Sequence, residues 1–357
     1  MHTTFSLGEF FCGPGGIALG AKLSGTIYNS NDDSFSISPT WASDYDKETC
    51  KTYSHNIHET PFDETPNVIH ADVTELNIPS LQSCDGFAFG FPCNDFSLVG
   101  ETKGFKGKFG GLYSYGVSYL TQHQPSWFVA ENVGGLSSAN EGNAFKVILK
   151  DLENAGYKLV SHLYKFHEYG VPQARHRIII VGIRNNINIE FKVPAPTTPI
   201  DYVTAKTAIS IPPIPENALN HTKTRQSATV VKRLEYIKPG DNAWSEDIPE
   251  HLRLNVKGAR LSNIYKRLDP NKPAYTVTGS GGGGTHMYHW DEPRALTNRE
   301  RARLQTFPDS YHFQGGSESV RKQVGMAVPP VGMSNIFEAI LKSFAGVGYE
   351  HISPNIK

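Results

Sequence analysis

The chain has 357 residues, a hydrophobic content of 38% that includes 16 Tyr and 19 Phe, and a formal net charge of −1. That is ample apolar material for one large domain plus a smaller one, and the charge balance argues neither for nor against nucleic acid when taken over the whole chain. Cys12, Cys50, Cys84 and Cys93 are scattered without Cys-x-x-Cys spacing, which points away from a disulfide framework and from a zinc site.

The first apolar stretch, from Phe5 to Leu19, is broken by Gly8, Glu9, Gly13, Pro14, Gly15 and Gly16 and does not resemble a signal peptide. No stretch is expected to span a bilayer, so a soluble, cytoplasmic protein without membrane partners is expected. Phe5 to Phe11 reads as a strand that opens into Gly13-Pro14-Gly15-Gly16, after which Ile17, Ala18, Leu19 and Ala21 begin a helix. Strand, glycine turn and helix form a nucleotide-binding opening, but the spacing is not the Gly-x-Gly-x-x-Gly of nicotinamide enzymes.

The next extended run, Thr40-Trp41-Ala42-Ser43, ends in Asp44-Tyr45-Asp46, and Val68-Ile69-His70-Ala71 ends in Asp72. An acid at a strand end can accept ribose hydroxyls and a neighbouring aromatic can stack on adenine; the alternative for each acid is a helix cap. A fourth run, Gly86-Phe87-Ala88-Phe89, stops at Pro92-Cys93, which places a cysteine where open α/β sheets bind their ligands. Taken alone, Cys93 is also compatible with a small buried hydrophobe. A Gly- and Lys-rich loop from Gly100 to Gly111 follows, then a helical stretch from Leu112 to His123.

Trp127-Phe128-Val129-Ala130 is a fifth strand that ends in Glu131-Asn132, so Cys93 and Glu131 are expected on one sheet edge. Phe145, Ile148, Leu149 and Leu152 have helical spacing, and Tyr157 to Phe166 and Arg177 to Ile183 read as strands. Beyond Asn185 the βα rhythm is lost among Pro194, Pro196, Pro199, Pro212, Pro213 and Pro215. Between His221 and Arg267 the chain carries ten Lys and Arg against five acids, which reads as a solvated face or as a phosphate-contacting surface. Regularity returns with the Thr297-x-x-Glu300 capping box and a last helix from Pro330 to Phe344. These breaks divide the chain into 1–184, 185–290 and 291–357, the last returning to the first domain.

Pro92-Cys93 with Phe96-Ser97, Glu131-Asn132-Val133, Gln173-x-Arg175-x-Arg177, and the run from Arg294 through Glu300 and Gln305 to Pro308 occur together in one order. In this the chain resembles the bacterial restriction-modification methyltransferases that modify carbon 5 of cytosine in DNA. The resemblance implies an α/β, doubly wound Rossmann-like sheet that uses S-adenosyl-L-methionine, with a smaller irregular target-recognition domain over 185–290. It implies double-stranded DNA as substrate, S-adenosyl-L-homocysteine as product, a monomer, and a cognate restriction endonuclease acting on the same site. Cys93 would be the nucleophile, Glu131 would hold the base, and Arg175 and Arg177 would complete the catalytic set. Phe11, Gly13, Gly15, Gly16, Asp44, Tyr45, Asp72, Val73, Leu112, Met326, Ala327 and Val328 would line the cofactor.

Two positions depart from the family pattern. Glu9 stands where an Asp is usual, and Met326 stands where Asn is usual, without that side chain's hydrogen bond. A binding module that had lost catalysis would not need Cys93, Glu131 and Arg177, and a relative acting on RNA is the remaining alternative.

Overall fold

In the computed structural model, which describes residues 1–91, 111–137, 143–255 and 261–356, the strand β1 (His2–Phe10) alternates its side chains between two covered faces. Phe10 turns towards Trp41, Phe87 and Tyr119 on one face, and Phe5 meets Phe344 and Trp127 on the other. β1 lies within an eight-stranded sheet ordered β2-β3-β1-β5-β6-β9-β7, with β4 beside β3. The remaining strands of this sheet are β2 (Ile27–Tyr28), β3 (Ser34–Asp44), β4 (Val68–His70), β5 (Gly86–Gly90), β6 (Trp127–Val133), β7 (Tyr157–Lys165) and β9 (His176–Arg184). β3, β1, β5 and β6 run parallel, and β9 pairs antiparallel with β6 on one side and with β7 on the other.

Helices cover both faces, as a doubly wound sheet requires. One core joins Phe10, Trp41, Phe87, Phe89 and Phe128 to Tyr119 and Leu120 of α3 (Tyr113–His123) and Ile148 and Leu152 of α4 (Asn143–Asn154). On the other face lie α1 (Gly16–Leu23), α2 (Lys47–Tyr53) and α9 (Pro330–Ala345), with Trp127 packed against Phe337 of α9. Gly86 allows this packing: a Cβ there would lie 2.1 Å from the Trp127 ring. Because Trp127 is fully buried, Gly86→Ala is expected to cost about 1–3 kcal/mol, measured as a lower chemical-denaturation midpoint.

This sheet, its helices and the short β10–β12 pair (Val193–Pro194 with His351–Ile352) form one unit, 1–166 with 176–196 and 328–357. The other unit comprises 167–175 and 197–327. It contains β8 (Gln173–Ala174) paired with β11 (Ala274–Tyr275), and the helices α5 (Ala205–Ser210), α6 (Ala228–Glu235), α7 (Asn298–Leu304) and α8 (Ser317–Met326). Leu234, Ile237, Ile248, Tyr265 and Tyr288 are in its core.

The unit boundaries differ from the divisions at 184/185 and 290/291 expected from the sequence, since 291–327 stays with the second unit. The reason is a set of buried arginines on α7: Arg299 donates to the carbonyl of Leu219 at 2.9 Å, and Arg303 donates to that of Ile209 at 3.0 Å. Ser317–Ala345 is long and apolar enough to cross a bilayer by length and composition, yet 72% of its apolar window is buried. Met333, Ile336, Phe337, Ile340 and Leu341 of α9 are covered, as in a core helix.

Candidate active site

At the carboxyl ends of β5 and β6, Gly90 is in register with Glu131. The missing side chain leaves space for the carboxylate, since a Cβ on Gly90 would lie 3.2 Å from Glu131 Oε2. One strand further on, Arg177 is in antiparallel register with Val133 and its Nε donates to Glu131 Oε1 at 2.7 Å. The two side chains are 12% and 13% exposed, which makes this a largely desolvated, charge-assisted contact with a small opening to solvent. Asn132, which had no role assigned from the sequence, donates from Nδ2 to the carbonyl of Phe91 at 3.0 Å and accepts from the Val133 N–H at 2.8 Å. It thereby fixes the chain as it leaves β5. Cys93 and the Lys-rich loop to Gly110 lie outside the described residues.

Arg175 and Arg177 lie in different units although only one residue separates them. Arg175 is 2% exposed, and its guanidinium donates to the carbonyls of Val277 at 3.1 Å, Gly325 at 3.3 Å and Met326 at 3.5 Å. Gln173 supports the same junction, donating to Gln305 Oε1 at 2.8 Å and accepting from the Val277 N–H at 2.6 Å. A guanidinium committed to three carbonyls holds α8 in place within the second unit.

The residues expected to hold the cofactor begin at the glycine turn at the head of α1. Phe11 and Gly13 take positive φ angles of 54°, and Gly15, the cap of α1, takes 92°. The Gly13 N–H donates to Asp44 Oδ2 at 3.0 Å while the Asp46 N–H donates to Oδ1 at 3.0 Å. Asp44 thereby ties the glycine turn to the end of β3. Gly16 is closely covered: a Cβ would lie 2.2 Å from the Val328 carbonyl oxygen. Tyr45, 58% exposed, follows Asp44 and offers a ring face. Val73 belongs to the core cluster, and Phe11 and Leu112, partly buried, pack against it. Asp72 caps a short turn, with Oδ1 accepting from the Thr74 N–H at 3.0 Å and its hydroxyl at 2.8 Å. Met326 and Ala327 end α8 in the second unit, the former half-exposed and the latter buried.

Beneath the turn, Glu9 is wholly buried, with Tyr53 donating to Oε2 at 3.3 Å and Oε1 unpartnered. Burial, and then the charge of Asp44, raise its carboxyl well above the ordinary range, although the Tyr53 bond opposes this. A raised folded-state value means that the native protein binds the extra proton, so stability falls as pH rises from the unfolded value towards the folded one. Glu9→Gln is therefore expected to flatten the decline in thermal midpoint between pH 5 and pH 8. A decline as steep as in the parent would show that other groups govern it.

The same burial affects the thiols. Cys12 is raised well above the ordinary value, Cys50 is pushed up to about 12 and Cys84 to about 11, in each case chiefly by burial. Protonated thiols this well covered are not nucleophiles at neutral pH.

The family model described as C-5 cytosine-specific DNA methylase matches residues 5–342. The Type II methyltransferase M.BbvI of Brevibacillus brevis is 58% identical over 356 residues, which cover 98% of this chain and 94% of that protein. The Type II methyltransferase M.NgoFVII of Neisseria gonorrhoeae is 38% identical over 353 residues, covering 96% and 88%. Among solved structures, a prophage-encoded DNA modification methyltransferase from E. coli superimposes with a TM-score of 0.66 at 21% identity, covering 95% of this chain and 99% of that one. At that identity the likeness concerns the fold.

Proposed function

The chain belongs to the C-5 cytosine-specific DNA methylase family, and from that premise we propose that it transfers the methyl group of S-adenosyl-L-methionine to carbon 5 of a flipped-out cytosine within a short double-stranded sequence. This would be the modification activity of a type II restriction-modification system, paired with an endonuclease for the same site and acting in the cytoplasm. The observation that carries the reading is the Glu131–Arg177 pair, 2.7 Å long, beside the exit of β5 that leads to Pro92-Cys93.

Carbon 5 of cytosine is a weak nucleophile until something adds to carbon 6. The Cys93 thiolate forms a bond to carbon 6, and the electron pair displaced from the ring's double bond makes carbon 5 nucleophilic. Glu131 holds the ring nitrogen and exocyclic amine where charge changes on attack, and Arg177, already oriented by Glu131, donates to the carbonyl oxygen. After methyl transfer, loss of the carbon-5 proton returns an electron pair to the ring and the carbon–sulfur bond breaks, which restores the thiolate. The target base must leave the duplex stack to meet these groups.

The cofactor's contribution is an electrophilic methyl group. The residues around the glycine turn fit its holder: Gly13 and Gly15 allow close backbone approach, Asp44 ends β3 beside the turn and Tyr45 exposes a ring. Val73 and Leu112 would support this pocket from the core side. Asp72, capping its own turn, has an acceptor already committed. Incubation with duplex DNA and a methyl-labelled donor, followed by base analysis, tests the proposal: label in 5-methylcytosine supports it, and label in adenine or none in DNA sinks it.

The target sequence is assigned to the second unit, on its irregular backbone and basic excess. Exchanging 197–327 for the corresponding segment of a relative with another target is expected to move the methylated site, read by bisulfite sequencing. An active chimera with an unchanged site would refute this assignment.

A further inference from the structure

Within the second unit, α7 buries a cation that has no hydrogen-bond or ion-pair partner among the described residues. Arg301 is 2% exposed, its Nε is sealed from solvent without an acceptor, and among the described residues none accepts a hydrogen bond from its guanidinium. This contrasts with its neighbours: Arg299 donates to Leu219, Pro308 and Tyr311 carbonyls, and Arg303 is paired with Asp309. Isolated buried charge is costly, and natural structures pair it or neutralise it.

The groups facing Arg301 do not supply an anion. Arg321 of α8 and His286 carry like or neutral charge, and each has a buried ring or guanidinium nitrogen, Nε and Nδ1 respectively, without a partner. Glu300 is committed to Arg294 through contacts of 2.7 and 2.8 Å. Tyr275 and Tyr288 donate their hydroxyls to the carbonyls of Lys266 and Gly283. Among the described residues Arg321 reaches only Glu318, at 3.3 Å, whose side chain is 89% exposed. Burial above all, together with the charge of Arg321, draws the Arg301 guanidinium down to about 10, partly offset by Tyr275. Burial, Arg301 and Arg321 lower His286.

The cluster is next to a glycine-rich stretch of backbone. The carbonyl of Lys322, the residue after Arg321, lies 2.8 Å from where a Gly279 Cβ would be, and Gly325 is closer still to Thr278 and Gly279. The glycine run 281–284 follows, and a Cβ at Gly282 or Gly283 would meet nothing within 4 Å. A bulky ligand can therefore approach the backbone at Gly282 and Gly283, in the same turn region as His286.

We propose that Arg321 and His286 receive one backbone phosphodiester of the DNA beside this glycine run, with Arg301 as the buried positive charge behind them. The assignment rests on the reading of DNA as substrate. It concerns positioning of the duplex, because phosphate contacts fix register and carry no sequence information.

The test uses the full-length protein, a duplex that it methylates and an unrelated duplex, with binding followed by fluorescence anisotropy at several salt concentrations. In R321Q the slope of log affinity against log salt is expected to become shallower by about 0.9, with affinity for both duplexes falling by a similar factor. R301M is expected to do the same while keeping or raising the thermal midpoint, since an unpaired buried charge is being replaced by an apolar chain of similar length. If R301M does not fold, H286Q takes its place beside R321Q. An unchanged salt slope in R321Q overturns the proposal, as does an R301M that loses stability but keeps the parental slope. Inorganic phosphate serves as the second probe: if it stabilises the parent more than R321Q while the DNA slope stays unchanged, the cluster is a free-anion site only. Methyl transfer measured in parallel separates the two ideas, because a parent that is inactive on DNA but shows the slope change defeats the functional reading alone.

Discussion

Cys93→Ser is expected to lower methyl transfer by on the order of 10⁴-fold or more, as removal of a nucleophile from a concerted catalytic unit does, while leaving the thermal midpoint close to that of the parent. The reasoning begins with the other thiols. Cys12, Cys50 and Cys84 are buried and held protonated, so none of them is suited to attack. The chain entering Pro92-Cys93 is fixed, with Phe91 buried and its carbonyl bound by Asn132 at 3.0 Å. A serine hydroxyl is far less nucleophilic than a thiolate at neutral pH. A duplex with fluorine at carbon 5 of the target cytosine isolates the covalent step, because the carbon-5 proton needed for release is missing. The parent should accumulate a denaturation-resistant protein–DNA adduct that requires the methyl donor, and Cys93→Ser should form none. A serine variant with full transfer to cytosine would show that the nucleophile is elsewhere.

How much of this arrangement could be read from residues alone depends on the range of the interactions. The Thr297-x-x-Glu300 capping box is local, and both of its hydrogen bonds form. The strand–glycine turn–helix at Phe11 to Ile17 and the alternation of aromatics along β1 and β5 are local in the same sense. The insertion of β9 between β6 and β7 depends on antiparallel partners far apart in sequence, so the meeting of Arg177 with Glu131 follows from topology. Burial of arginines is a tertiary event too. Nothing in Arg294 to Leu304 as a string distinguishes Arg299, which ties α7 to Leu219, from Arg301, which finds no acceptor among the described residues. Asp44 and Asp72 both stand at strand ends, and only the fold shows one receiving the glycine turn and the other capping its own.

Glu131→Gln is expected to reduce turnover by roughly 10²–10³-fold, the range found when one preorganised electrostatic contact is removed from a reacting centre. The amide keeps the shape of the carboxylate and its oxygen can still accept from Arg177 Nε, so the ion pair becomes a neutral–charged hydrogen bond and the thermal midpoint should move little. Arg177→Gln removes the cation instead and leaves a carboxylate only 12% exposed without its partner, a change that costs up to about 3–5 kcal/mol for a buried pair. It is expected to lower both turnover and stability. The double variant decides what the pair does. If its only role is to hold β6 to β9, replacing both charges should restore stability and, with it, activity. If Glu131 holds the base and Arg177 meets its carbonyl oxygen, the double variant should recover stability while turnover stays as low as in the weaker single variant. Recovery of turnover alongside stability would place the pair in the architecture and require another group to hold the cytosine.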